Sequence, residues 1–114
     1  MKRLTTAVLG LALLLSASAT GQAVARPGSV LVTKNVSVVN FAFMPRSASI
    51  VRGTTVRWKN NATNTTHTTT SNTGLWNRTL APGAMFSRVF NQAGTFRYHC
   101  SIHPSMTGQI VVTG

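Results

Sequence analysis

The 114-residue chain is predicted to fold, beyond an N-terminal targeting segment, as an all-β sandwich or barrel. Three observations predict it. After Val30 no stretch carries apolar residues at helical spacing for the ten or more residues that a helix needs. The residues that remain fall into short runs rich in β-branched and aromatic side chains. These runs are separated by Gly, Pro and Asn at short, regular intervals, as in strands joined by turns.

The chain opens with Met1-Lys2-Arg3, a basic start, followed by the apolar run Ala7–Leu15. A membrane-spanning helix needs about 20 apolar residues, so this run is too short to span and suits the core of a secretory signal. Two small-residue cleavage patterns follow, Ala17-Ser18-Ala19 and Ala23-Val24-Ala25. Cleavage after Ala25 removes 25 residues and two basic groups, leaving 89 residues and a charge of +9. The expected organisation is a signal peptide over 1–25, an exposed leader over 26–34 around Pro27-Gly28, and one domain over 35–114. Export would place the protein in a periplasm, an extracellular space or a cell envelope.

Within the domain, Asn35–Phe43 and Ala48–Arg52 read as the first two strands. Thr54–Lys59 follows Gly53, with Val56 and Trp58 on one face and Arg57 and Lys59 on the other. Thr66–Ser71 is a Thr-rich strand candidate. Phe86–Phe90 follows the turn Ala81-Pro82-Gly83, Thr95–Cys100 follows Ala93-Gly94, and Gly108–Thr113 closes the chain. The Asn/Thr-rich stretch Asn60–Thr73 reads as an ordered loop and strand, being short and flanked by strands.

Composition excludes several chemistries. The chain has eleven Lys+Arg, three His and no Asp or Glu, for a charge of +11. Paired-carboxylate hydrolysis, an Asp-oriented catalytic His and an all-oxygen cage for Ca²⁺ or Mg²⁺ are all ruled out. The basic groups form no cluster in the expected domain, which argues against nucleic acid as a partner. One Cys cannot close an internal disulfide. In an oxidising compartment a lone thiol must be buried, paired with another chain or bound to something.

The informative chemistry lies near the C-terminus. Along Thr95–Cys100, Phe96, Tyr98 and Cys100 share one face while Arg97 and His99 share the other. The aromatic face belongs to the core, so the Cys100 sulfur points inward. Ser101 to Met106 then spaces Cys100, His103 and Met106 three residues apart in one short loop before the closing strand. Singly, a Cys or Met is usually core filler and a loop His usually solvated. Together they offer a thiolate, an imidazole and a thioether toward one point. Two His and a Cys with a weak Met form the blue-copper electron-transfer set, and His67 is the available second His. Zinc competes, but Met is a poor zinc donor. His99 faces away from Cys100 and is read as structural or exposed.

The residues Thr54-Thr55-Val56-Arg57-Trp58-Lys59-Asn60-Asn61, then His67, Gly94–Cys100 and Ser101–Gly108 resemble the cupredoxins, specifically the plastocyanin and amicyanin group. The resemblance runs from about Asn35 to Val112, and the C-x2-H-x2-M spacing is that of the amicyanin-like members. It implies a Greek-key β-sandwich of about eight strands with one type 1 copper ion at one end. It assigns His67, Cys100 and His103 as equatorial ligands and Met106 as the axial one. Thr68 stands where these relatives usually carry an Asn that steadies the Cys sulfur. The resemblance also implies electron passage through the His103 ring edge, with Met44, Pro45, Leu75, Trp76 and Met85 as candidates for an apolar surround.

The resulting expectation is a monomeric one-electron carrier rather than an enzyme, since four donors leave no open coordination position. A copper carrier or buffer using the same ligands is the alternative. A basic binding module for anionic lipid, cell-wall polymer or nucleic acid, with copper incidental, is a third reading, which the scattered basic groups do not favour. The charge points to a redox partner with an acidic docking surface or one held at the membrane, or to an anionic envelope surface. With no carboxylate side chains, the metal-free fold is expected to be nearly indifferent to acid, and copper loss to be the acid-sensitive event.

Overall fold

A computed structural model describes residues 31–114. The expected signal segment 1–25 and most of the expected leader lie outside the described residues. Nine strands form two sheets, with no helix among the described residues. In chain order they are β1 (Thr33–Val39), β2 (Ala42–Met44), β3 (Ser47–Val51), β4 (Thr54–Asn60), β5 (His67–Ser71), β6 (Asn77–Leu80), β7 (Met85–Phe90), β8 (Gly94–His99) and β9 (Thr107–Thr113). One sheet has the order β2-β1-β4-β7 and the other β3-β9-β8-β5-β6. The β1–β4 and β3–β9 pairs are parallel and the rest antiparallel. Parallel neighbours that are not consecutive in sequence require the chain to cross between sheets, which is how the sandwich closes.

The strands expected from sequence are present to within a residue or two, with three differences. The run Asn35–Phe43 is not one strand. It turns at Asn40–Phe41, and Val39 pairs back with Ala42. Asn40 is the turn-forming residue inside an otherwise apolar run. The first strand also starts earlier than the expected leader boundary, because Thr33 and Lys34 pair with Thr55 and Val56. Finally, β6 had no sequence signal. Three of its four residues are exposed, so no apolar alternation marks it.

The face assignments follow from strand geometry. Val56, Trp58 and Asn60 are buried while Arg57 and Lys59 are exposed. Tyr98 and Cys100 are fully buried, with Phe96 half-buried beside them, and Arg97 faces solvent. Trp58 sits at the centre of the core. It stacks on Phe86 at 5.8 Å between ring centroids and meets Tyr98 edge-on at 5.4 Å. Trp76 and Phe90 complete the cluster, and Phe43 packs on Tyr98 at 4.6 Å. Aromatic pairs of this kind add to their area of burial, about 0.5–1.5 kcal/mol each. Burial pushes the Tyr98 phenol up to about 12. Neither Trp58 Nε1 nor the Tyr98 hydroxyl reaches a hydrogen-bond partner in the described residues.

With no Asp or Glu, no side-chain carboxylate exists to pair with the cations, and they are accommodated otherwise. The Arg78 guanidinium lies 4.5 Å from the Phe86 ring centre. Arg88 lies over Phe90 at 4.7 Å and Trp76 at 5.1 Å. These cation–π contacts cover the edges of the aromatic core with the stems and planes of the two arginines.

Gly108 is opposite Tyr98 in the β8–β9 ladder. A Cβ there would sit 2.6 Å from Tyr98 Cζ and 2.7 Å from its hydroxyl oxygen. Gly108→Ala is therefore expected to destabilise the fold by about 1–3 kcal/mol through overpacking, although Ala is ordinarily harmless in a strand. Urea denaturation of the two proteins reads this directly, and equal midpoints would show that Tyr98 has room to move.

Candidate metal centre

The centre is assembled from two places in the chain. Strand β8 carries Cys100 to the end of the five-stranded sheet, and the loop 101–106 turns back into β9. Two backbone bonds close that loop. Cys100 N–H donates to the Met106 carbonyl at 3.0 Å, and Met106 N–H donates to the His103 carbonyl at 2.8 Å. The C-x2-H-x2-M spacing is thus a closed turn, with Cys100 and Met106 both buried and His103 half-buried.

His67 arrives from the adjacent strand β5. The loop before it is anchored by Asn60, which is fully buried at the end of β4. Its side-chain amide donates to the carbonyls of Thr65 and Leu80, both at 2.9 Å, and its oxygen accepts from Ala62 N–H at 2.9 Å. A buried amide with three satisfied bonds fixes the approach of the chain to His67. Leu80 in turn pairs with His67 in the β5–β6 ladder.

These elements bring His67, Cys100 and His103 together. The Cys100 sulfur lies 3.8 Å from His67 Nδ1 and 3.7 Å from His103 Nδ1. One donor atom from each of the three lies within 4.8 Å of the others. A metal held by sulfur at about 2.3 Å and nitrogen at about 2.0 Å, with about 120° between the bonds, sets these atoms about 3.7 Å apart. The spacing is that of a ready metal cradle. With Met106 buried and bonded through its backbone to both Cys100 and His103, the arrangement fits a single type 1 copper site.

The surroundings fix each donor. His67 is fully buried, and its Nε2 lies 2.7 Å from Asn40 Oδ1. An amide oxygen can only accept, so the proton is on Nε2 and the Nδ1 lone pair is left facing the sulfur. Burial, and then the neighbouring His103, hold the His67 pKa below its ordinary 6.5. At the sulfur, the Thr68 backbone N–H donates to Cys100 Sγ at 3.3 Å. The Thr68 hydroxyl accepts from Ser101 N–H at 2.8 Å, tying the two donor-bearing segments together. Thr68 therefore does what the sequence left open: its backbone supports the sulfur and its hydroxyl clamps the loop.

His99 lies outside the cluster, as the strand alternation requires, and its Nδ1 donates to Asn72 Oδ1 at 2.6 Å. The expected apolar surround is corrected in two places. Trp76 is 6% exposed and belongs to the core. Leu75 lines a cleft with Phe90 and Phe96, at strand ends remote from Cys100. Phe41 was missed. It is 61% exposed and packs edge-on against the His103 ring at 4.9 Å. Asn40 was missed too. Their common signal was the polar break in the run NVSVVNFAF, which marks a turn but says nothing of what the turn touches.

Residues 5–112 match the family model described as a cupredoxin-like domain. A purple cupredoxin from Nitrosopumilus maritimus is 28% identical, with a TM-score of 0.63 over 69% of this chain and 98% of that one. A reduced amicyanin variant is 25% identical, with a TM-score of 0.62 over 73% of this chain and 82% of that one. A copper-containing nitrite reductase from Thermus scotoductus is 28% identical, with a TM-score of 0.66 over 84% of this chain and only 25% of its own. Among curated protein sequences, none matches.

Two outcomes follow from the geometry. Replacing Asn40 with Ala removes the acceptor that sets the His67 ring, and copper affinity is expected to fall about 10–100-fold. Competition against a chelator of known affinity measures it, and an unchanged affinity would assign the ring's orientation to packing alone. The second concerns pH and sets one acid-sensitive contribution, that of His67, against the expected near-indifference of the metal-free fold. Well above pH 6.5 His67 is neutral in both folded and unfolded chains. Below it the unfolded imidazole takes up a proton that the folded one resists, so stability falls with pH and levels off beneath the depressed folded value. Thermal unfolding of the metal-free protein from pH 7.5 downward should show this loss, and His67→Gln should flatten it.

Proposed function

Because the chain belongs to the cupredoxin-like domain family, we propose that it is an exported electron carrier, moving one electron at a time through a type 1 copper centre held by His67, Cys100, His103 and Met106. Bound copper supplies the one-electron exchange between Cu(I) and Cu(II). The observation that carries this reading is how the four donors are exposed. His67 and Cys100 are completely buried and Met106 is 2% exposed, so His103 alone reaches the surface. A centre enclosed in this way offers no place for a substrate to bind, and its one edge at the surface suits electron passage. That argues for a carrier rather than an enzyme. The likeness to nitrite reductase does not oppose it, since it covers a quarter of that protein.

The chain's own residues perform two tasks. Asn40, Thr68 and the closed 100–106 turn hold the donors through hydrogen bonds made within the protein, which supports transfer with little rearrangement. Phe41, Ile102 and Pro104 surround the half-buried His103 with exposed apolar surface on which a partner can exclude water. The partner we infer is a redox protein whose docking surface is acidic or which lies at an anionic membrane or envelope surface, matching a chain without a single acidic side chain. On this reading the domain acts as a monomer, and the basic N-terminal segment and cleavage pattern support a place in a periplasm or outside the cell.

Copper-loaded protein should show an intense visible thiolate-to-Cu(II) absorption that bleaches with reductant and returns on oxidation with the metal retained. Cys100→Ser should abolish it. Ready surrender of Cu(I) to a competing chelator during that cycle would instead make copper the cargo, and colour surviving in the Ser variant would overturn the site.

A further inference from the structure

We propose that a cleft on the outer face of the five-stranded sheet binds a small polyanion carrying phosphate or carboxylate groups. The cleft has a volume of about 430 Å³ and lies across β3, β9 and β8, where Ser47, Gln109 and Arg97 form one row of the ladder. Its size is that of a small-molecule site rather than of a bare ion.

The direction of the hydrogen bonds identifies the ligand's chemistry. Arg46 Nη2 donates to Thr107 Oγ1 at 2.9 Å, and Gln109 Nε2 donates to Ser47 Oγ at 3.0 Å. His99 Nδ1 donates to Asn72 Oδ1 at 2.6 Å. In each bond a side-chain oxygen of the cleft is used as an acceptor. The groups left over are mostly donors: the hydroxyl hydrogens of Ser47 and Thr107, the Asn72 amide, and most of the Arg46 guanidinium, against one free side-chain acceptor, the Gln109 carbonyl oxygen. Arg97 adds a second guanidinium. It is exposed and makes no side-chain hydrogen bond or aromatic contact in the described residues. Asn72 is held beside it, its backbone N–H bonded to the Arg97 carbonyl at 2.9 Å.

A concave surface with two guanidiniums and a clear excess of spare amide and hydroxyl donors over free acceptors is complementary to oxyanions, which accept several such bonds at once. No Asp or Glu exists in the chain to neutralise it from within. The contrast with Arg78 and Arg88 is informative, because those two are engaged on aromatic rings. None of the cleft's residues is a donor to the metal centre, so this site stands or falls apart from the copper reading.

The test is calorimetric and NMR titration of the full chain with citrate and with pyrophosphate, each against chloride at matched ionic strength. Saturable one-to-one binding is expected, with the Arg46, Arg97 and Asn72 side-chain signals moving together. The tighter of the two probes names the anion. Arg97→Gln and Arg46→Gln should each weaken binding at least tenfold. Arg57→Gln removes the same charge from the exposed face of the other sheet and should change binding less than twofold. Unsaturable shifts spread over cations of both sheets, or an equal loss from Arg57→Gln, would reduce the effect to a general counterion atmosphere and overturn the proposal.

Discussion

The Cys100 sulfur lies 3.8 Å and 3.7 Å from two imidazole nitrogens with no exposure to solvent, and the end of the sandwich is arranged around keeping it there. Without a metal, a thiol and two imidazoles side by side gain only a long sulfur–nitrogen hydrogen bond, while desolvation and then the approach of His103 disfavour a charged His67. The chain must therefore be held together by contacts other than those within the cluster. The closed turn from Cys100 to Met106, the Thr68 clamp on Ser101 and the buried Asn60 amide supply them. Each joins backbone to backbone or side chain to backbone, and none uses a charge.

That economy of charge extends through the molecule. A domain of ordinary composition offsets surface arginines with carboxylates, whereas here two of them lie flat on the aromatic core and others donate to hydroxyls and amides. The consequence is a surface of one sign in which every unengaged cation seeks its partner outside the chain. The apolar end around His103 and the donor-lined cleft behind β8 are then complementary features. One excludes water at the point where electrons would pass, and the other presents positive charge to an anion.

How far the sequence could be read depended on the range of each contact. Cys100, His103 and Met106 stood out because three donor types fall within seven consecutive residues, and a short loop between strands leaves them little choice of direction. His67 was found by elimination among three histidines, with strand alternation setting His99 aside. Asn40, Phe41 and Asn60 could not be assigned their roles in this way. Asn40 meets His67 across 27 residues of sequence, and Asn60 meets Leu80 across 20. Nothing local distinguishes such an Asn from one in an ordinary turn. Strand β6 escaped for a related reason, since its pairing comes from β5 and not from a pattern of its own.

By itself the sequence determined which side chains are available and which face of each strand they occupy. The alternation of Phe96, Tyr98 and Cys100 against Arg97 and His99 is a matter of backbone geometry, and it placed the sulfur inward before any neighbour was known. The absence of Asp and Glu likewise fixed the sign of every charged side chain at neutral pH. Only the tertiary structure decided which loops converge on that sulfur, which imidazole nitrogen faces it, and which arginines are spoken for. Those outcomes depend on strand order and on hydrogen bonds between distant segments. Such bonds form only when the two sheets close on Trp58 and its aromatic neighbours, and that closure is the property of the whole chain.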